Sequence, residues 1–115
     1  VTGVQIFGIA KSQATRAAER FFKERRVQIQ FVDLSQKPMA PGEIKRFVDK
    51  FTLNGLLDKE SKAFEEAGLK YIRMPDPQLL ERIGREPKLL LLPFVRAGNK
   101  ITIGLDEAGW KDMLA

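Results

Sequence analysis

Apolar residues recur along this chain with different rhythms, and each rhythm predicts a different element. Val4–Gly8 (VQIFG) is a short apolar run ending in glycine and reads as a buried strand. From Ser12 to Arg25, the residues Ala14, Ala17, Ala18, Phe21 and Phe22 fall at helical spacing. Ser12 is placed to cap that helix, and Lys23, Arg25 and Arg26 suit its C-terminal dipole. Val27–Leu34 (VQIQFVDL) opens with period-two alternation and reads as a second strand. Strand, helix and strand within about thirty residues form a βαβ unit, which implies a parallel pair and a right-handed crossover.

The middle of the chain is helical. Pro41 fits the first helical position, Glu43 the first turn, and Ile44, Phe47, Val48 and Phe51 recur at i, i+3, i+4 and i+7. Asn54–Gly55 breaks that pattern, and a short helix follows over about Lys59–Ala67, stopping at Gly68. Met74–Pro75–Asp76–Pro77 reads as a stiff turn whose Asp76–Pro77 pair supplies N-cap and first residue of a helix through Leu79, Leu80 and Ile83. Gly84 and Pro87 interrupt it, and Leu89–Leu92 reads as a short buried turn. Phe94–Ala97 and Lys100–Gly104 alternate around Gly98–Asn99 as a hairpin. Asp106 then caps a final helix with Glu107 as its dipole partner and Trp110 as its core anchor. The predicted order is βαβ, a helical insert at about 38–90, then ββα, in one domain spanning 1–115.

Composition narrows the chemistry more than the fold. The 43% hydrophobic and 30% charged content are those of a globular chain. The longest apolar stretch, Leu89–Val95, is broken by Pro93 and is too short to span a bilayer, so no membrane association is expected. No basic segment followed by an apolar core opens the chain, so the expected address is cytoplasmic. The absence of Cys excludes disulfides, iron–sulfur clusters and thiol nucleophiles; the absence of His removes the commonest base and metal ligand, and no metal site is expected. The net charge of +5 is interleaved with acids, as in Glu19–Lys23, which describes solvated helix faces. One Trp, one Tyr and no aromatic–basic interleaving argue against direct nucleic-acid binding.

The element order is that of an α/β thioredoxin-like fold with a mixed four-stranded sheet, although another small α/β sandwich satisfies the same alternation. Pro93, just before the third strand, suits either the cis-proline of thioredoxin-like folds or a proline starting an edge strand. Across its whole length the chain resembles the arsenate reductase ArsC family, including its Spx-like regulatory branch. That family opens with an aromatic-containing strand, a short loop carrying the catalytic Cys, and a helix with a basic–Ala signature. The corresponding segment is FGIAKSQATRAAERFF, with Ser12 at the Cys position, and FVDL (Phe31–Leu34) matches the end of the family's second strand. In LLDKESKAF, Leu56, Leu57, Ser61 and Phe64 fit while Glu60 replaces an Arg. In LLLLPFVRAGNKITIG, Pro93 and Gly104 fit, but Leu91 and Leu92 stand where Arg is expected.

The resemblance implies a glutathione- or thioredoxin-dependent reductase, in which a thiolate attacks arsenic or a disulfide and Arg residues hold the oxyanion. With Ser12 for Cys and two partner Arg sites altered, it implies reductase ancestry without thiol-dependent activity. Lys11, Gln13, Thr15, Arg16 and Pro93 are then the candidates for holding an anion or glutathione, as ligand or co-substrate. The structural alternative makes Ser12 an N-cap only, with Lys11 and Arg16 solvated. A second functional reading is an Spx-like regulator or adaptor that binds a protein partner such as RNA polymerase.

Overall fold

The apolar runs near the start of the chain and the hairpin near its end meet in one mixed sheet. The computed structural model describes residues 3–69 and 71–114. In chain order the elements are β1 (Val4–Gly8), α1 (Gln13–Glu24), β2 (Ile29–Asp33), α2 (Pro41–Phe51), α3 (Lys62–Glu66), α4 (Asp76–Arg85), β3 (Phe94–Ala97), β4 (Lys100–Ile103) and α5 (Glu107–Met113). Single 3₁₀ turns occur at Asn54–Leu56 and Pro87–Leu89. The chain divides into two units: one holds the segments up to Ser35 and from Leu92, and the other is Gln36–Leu91.

In the first unit the sheet order is β2-β1-β3-β4. β1 runs parallel to β2, with Val4 beside Ile29 and Gly8 beside Asp33, and antiparallel to β3, with Phe7 opposite Phe94. β3 and β4 form the expected hairpin, closed at Ala97 and Lys100. The period of two puts Val4 and Ile6 of β1 and Val95 and Ala97 of β3 on one face, where they pack with Ala18, Phe21 and Phe22 of α1 and Trp110 and Met113 of α5. Phe22 and Trp110 are completely buried. Trp110 lies 5.4 Å from the Phe21 ring and 6.1 Å from the Phe22 ring, both at tilted angles that suit aromatic quadrupoles. Burying each such side chain stabilises by roughly 1.5–3 kcal/mol, enough to hold α1 and α5 on the sheet.

The end of α1 departs from the sequence expectation. Arg26 donates its N–H to the Lys23 carbonyl at 3.0 Å, and Val27 donates to Phe22 at 3.0 Å, which together form a Schellman cap. The cap requires a left-handed residue, and Arg26 adopts φ 57 there in place of the usual glycine. Val27 is consumed by the cap, so β2 starts at Ile29, later than the expected Val27. Arg25 does more than oppose the dipole: its guanidinium donates to the Phe21 carbonyl at 3.1 Å and lies 3.7 Å over the Phe21 ring. The Glu19–Lys23 pair forms no ion pair among the described residues; in water such a pair gains only about 0.3–0.5 kcal/mol.

In the second unit, α2 begins at Pro41 as expected, and Phe47 is its fully buried residue. α3 is shorter than expected because Ser61 caps it: the Ser61 hydroxyl accepts from the Phe64 N–H at 3.1 Å and donates to the Asp58 carbonyl at 2.8 Å. Asp76 is the first residue of α4, not its N-cap; extended Pro75 takes the cap position without any side-chain bond. Leu89–Leu92 is only partly a turn. Leu89 ends a 3₁₀ turn, Leu90 bridges Leu57, and the Leu91 N–H donates to the Leu56 carbonyl at 2.8 Å.

Arg26 carries the steric cost of the left-handed region with its side chain in solvent. Arg26→Gly should therefore stabilise the protein by about 1 kcal/mol, measured as a raised urea midpoint with unchanged slope.

Candidate functional site

The loop from β1 to α1 concentrates the candidate residues. Residues 9–12 turn tightly, with the Ser12 N–H donating to the Ile9 carbonyl at 3.0 Å. Ser12 is extended (φ −75, ψ 121), and its Oγ accepts from the Thr15 N–H at 3.2 Å, while its carbonyl accepts from the Arg16 N–H. Ser12 is thus a working N-cap. The first turn of a helix has N–H groups without intrahelical acceptors, and Ser12 occupies Thr15's, leaving those of Gln13 and Ala14 without an intrahelical partner. No acidic residue lies in that first turn. Lys11, Gln13 and Arg16 are exposed around it, and neither Lys11 nor Arg16 forms an ion pair among the described residues. The dipole and both cations give the helix start a positive field suited to an anion.

Thr15 differs from its neighbours. It is completely buried, and its Oγ1 has no hydrogen-bond partner among the described residues. A Cβ on Gly8 would collide with the Thr15 hydroxyl and methyl groups, so glycine at the end of β1 is what lets α1 begin so close to the strand. Thr15 is a packing residue of the site, while Lys11, Gln13 and Arg16 form its accessible part.

Pro93 precedes β3 by one residue and follows a cis peptide bond with Leu92. Since Phe94 pairs with Phe7, Pro93 lies one step further along, at the sheet end from which the Ser12 loop departs. Its carbonyl accepts from the Gly104 N–H at 3.0 Å, which ties that end of β3 to the exit of β4. β2 ends at the same side with Asp33, paired with Gly8. The Asp33 carboxylate accepts from the Ser35 hydroxyl at 2.6 Å and the Ser35 N–H at 2.9 Å, and these bonds hold its pKa below the ordinary 3.8.

The remaining positions have structural duties. Glu60 is exposed in the second unit, with its N–H on the Asp58 carboxylate at 3.2 Å; Leu91 belongs to that unit, while Leu92 is buried in the first. Asp106 caps α5 by accepting from the Gly109 N–H at 2.9 Å. Among the described residues no group of three or more acidic side chains is placed to hold a metal ion, and no helix is long and apolar enough to cross a membrane. Chemically, the helix start offers a positive field and one hydroxyl, which is engaged as the cap. Sequence reasoning overlooked a pocket in the Gln36–Leu91 unit, because Leu69, Tyr71, Ile72, Arg73 and Met74, which wall it, carry no period.

Ser12→Ala should cost about 1 kcal/mol of stability in thermal unfolding, through loss of the cap, whereas Ser12→Asp should retain most of it. The Asp33 carboxyl should titrate below an ordinary Asp by NMR, and Ser35→Ala should move it up. Because the folded pKa is the lower one, this stabilisation is fully present above the ordinary pKa of 3.8 and is lost as pH falls through the folded value.

Residues 7–113 match the model of the ArsC family. Over 107 residues, 90% of this chain and 78% of the relative, the sequence is 27% identical to global transcriptional regulator Spx 2 of Oceanobacillus iheyensis. An arsenate reductase from Vibrio cholerae superposes with a TM-score of 0.80 at 16% identity, covering 98% of each chain. An arsenate reductase (ArsC) related protein from Brucella melitensis does so with a TM-score of 0.70 at 16% identity, covering 96% of this chain and 92% of its own. At such identities the structural likeness establishes the α/β thioredoxin-like fold with its mixed four-stranded sheet. The family match extends over nearly the whole chain, and the protein belongs to the ArsC family.

Proposed function

We propose that this ArsC-family protein retains the scaffold and the anion-favouring helix start but lacks thiol-dependent reductase chemistry. The carrying observation is Ser12: it stands at the position that the family resemblance gives to the nucleophilic Cys, and its oxygen is engaged as the cap of α1. A serine hydroxyl stays protonated at neutral pH, and the chain has no His to take its proton. Glu60, Leu91 and Leu92 stand where the resemblance expects Arg, so the charge that would hold an oxyanion is reduced as well. Lys11, Gln13 and Arg16 remain as an anion or glutathione-carboxylate site without turnover.

A second reading is a regulator or adaptor that acts by binding a protein such as RNA polymerase. The observation favouring it is the 27% identity to a global transcriptional regulator over 90% of the chain. It uses the same scaffold and needs no nucleophile.

Arsenate reduction should be assayed with glutathione and thioredoxin systems on the unaltered chain and on Ser12→Cys. No turnover above background is expected from either protein. Turnover by the unaltered chain would overturn the reading outright. Turnover in Ser12→Cys alone would show that Glu60, Leu91 and Leu92 are compatible with the chemistry.

A further inference from the structure

β2 is an edge of the sheet, with a strand neighbour on its β1 side alone. The hydrogen bonds at the two ends of this parallel pairing fix which of its backbone groups are used. The Val4 N–H donates to the Gln28 carbonyl, and the Leu34 N–H donates to the Gly8 carbonyl, each at 2.9 Å. With Val4 beside Ile29 and Gly8 beside Asp33, the slanted bonds of a parallel ladder engage Gln28, Gln30, Val32 and Leu34. Ile29, Phe31 and Asp33 therefore turn their N–H and C=O groups away from β1, where they meet no partner among the described residues.

Sheets ordinarily blunt such an edge with lysine, proline or a bulge. The opposite edge follows that rule: β4 opens on Lys100, whose ammonium donates to the Asp112 carbonyl at 2.7 Å. β2 uses none of these devices. Its register with β1 runs unbroken, and from Val27 to Val32 it holds neither a charge nor a proline. Ile29 and Phe31 pack against the core cluster yet stay partly exposed, while Gln30, on the other face, is exposed. An added strand thus meets unpaired donors and acceptors at three residues, with an apolar flank on one face and a polar flank on the other.

Charge decides the occupant. Lys23, Arg25 and Arg26 stand before β2 against one acid, Glu24, and Asp33 ends the strand. A second copy brings the same cations and a net charge of +5. In the two-fold antiparallel register, with Phe31 against Phe31, it also sets each Asp33 opposite Ile29. A segment whose acidic end lies beside Arg26 meets complementary charge instead.

We propose that the open edge of β2 binds an extended segment of a partner protein, antiparallel, alternating apolar and polar residues and ending in acids. Its backbone bonds to Ile29, Phe31 and Asp33, its apolar side chains flank Ile29 and Phe31, and its acids lie near Lys23 and Arg26. Such binding serves the adaptor reading but rests on the edge geometry alone, whatever the Ser12 loop does.

The test follows amide hydrogen exchange of the full chain by NMR, with the synthetic peptide acetyl-TVTVTEEE-amide as probe. A single added strand buries less than the ~1,000 Å² of a stable interface, so a Kd on the order of 100 µM is expected. At saturation the Ile29, Phe31 and Asp33 amides should exchange at least about threefold more slowly. The Gln30 and Val32 amides, already bonded to β1, should not change. The lysine-ended TVTVTKKK should bind about tenfold more weakly, and the proline-interrupted TVTPTEEE should not bind detectably. Lys23→Gln with Arg26→Gln should weaken the acidic peptide about fivefold. Both side chains are exposed and form no ion pair among the described residues, so the fold is kept. Absence of protection at the three amides, or equal binding of the lysine-ended or proline-interrupted peptide, would overturn the proposal. So would protection of the same amides on concentrating the chain alone, which makes the occupant a second copy. Loss of binding in Arg16→Gln would overturn it too, since that places the acids at the start of α1.

Discussion

The Phe21–Phe22–Trp110 cluster is the interaction on which the first unit depends. It joins the C-terminal half of α1 to α5 and seats both on the face formed by Val4, Ile6, Val95 and Ala97. Once that end of the helix is pinned, its N-terminus can only stand at the end of β1, four residues after Gly8. Thr15 fits there because Gly8 has no side chain. The position of Ser12 is therefore set by aromatic packing a full two turns away, and nothing in the pinning depends on what chemistry residue 12 performs.

Much of this was legible in the sequence, for local reasons. Ala14, Ala17, Ala18, Phe21 and Phe22 declare α1 because helical spacing is a property of adjacent turns. Ser12 and Asp106 declare their caps because the acceptor lies three residues from its donor. Gly98–Asn99 declares the hairpin in the same way. What failed was decided by competition for backbone groups. Val27 is consumed by the α1 cap and so is lost to β2, and Pro75 rather than Asp76 takes the cap position of α4. A left-handed Arg26 is equally invisible, since the motif ordinarily advertises itself with glycine.

The candidate site divides along the same line. Lys11, Ser12, Gln13 and Arg16 are neighbours in sequence, so the positive helix start could be read directly. The second-unit pocket is assembled from Leu53, Asn54 and Leu57 beyond α2, Phe64 of α3, Leu69 and Tyr71–Met74, and the start of α4. Leu53, Leu57, Phe64 and Leu79 look like ordinary core positions, and only the exposure of Tyr71 and Ile72 beside them distinguishes a pocket from a filled interior. No local pattern encodes an absence of packing.

Magnitudes decide what the helix start can and cannot do with a hydroxyl. A helix dipole stabilises a neighbouring negative charge by about 0.3–1 kcal/mol, reaching about 2 kcal/mol when partly buried. At about 1.4 kcal/mol per pKa unit, that lowers an acid by roughly one and a half units at most. A thiol starting near about 8.5 is carried to neutrality by such a shift. An alcohol, whose proton is held nearly as tightly as that of water, is not. A helix-start field large enough to ionise a thiol therefore leaves a serine hydroxyl protonated, and it favours only groups that arrive already charged. Capping then gives the serine oxygen its most favourable role, because accepting from Thr15 satisfies a backbone donor that a bound anion does not need to reach.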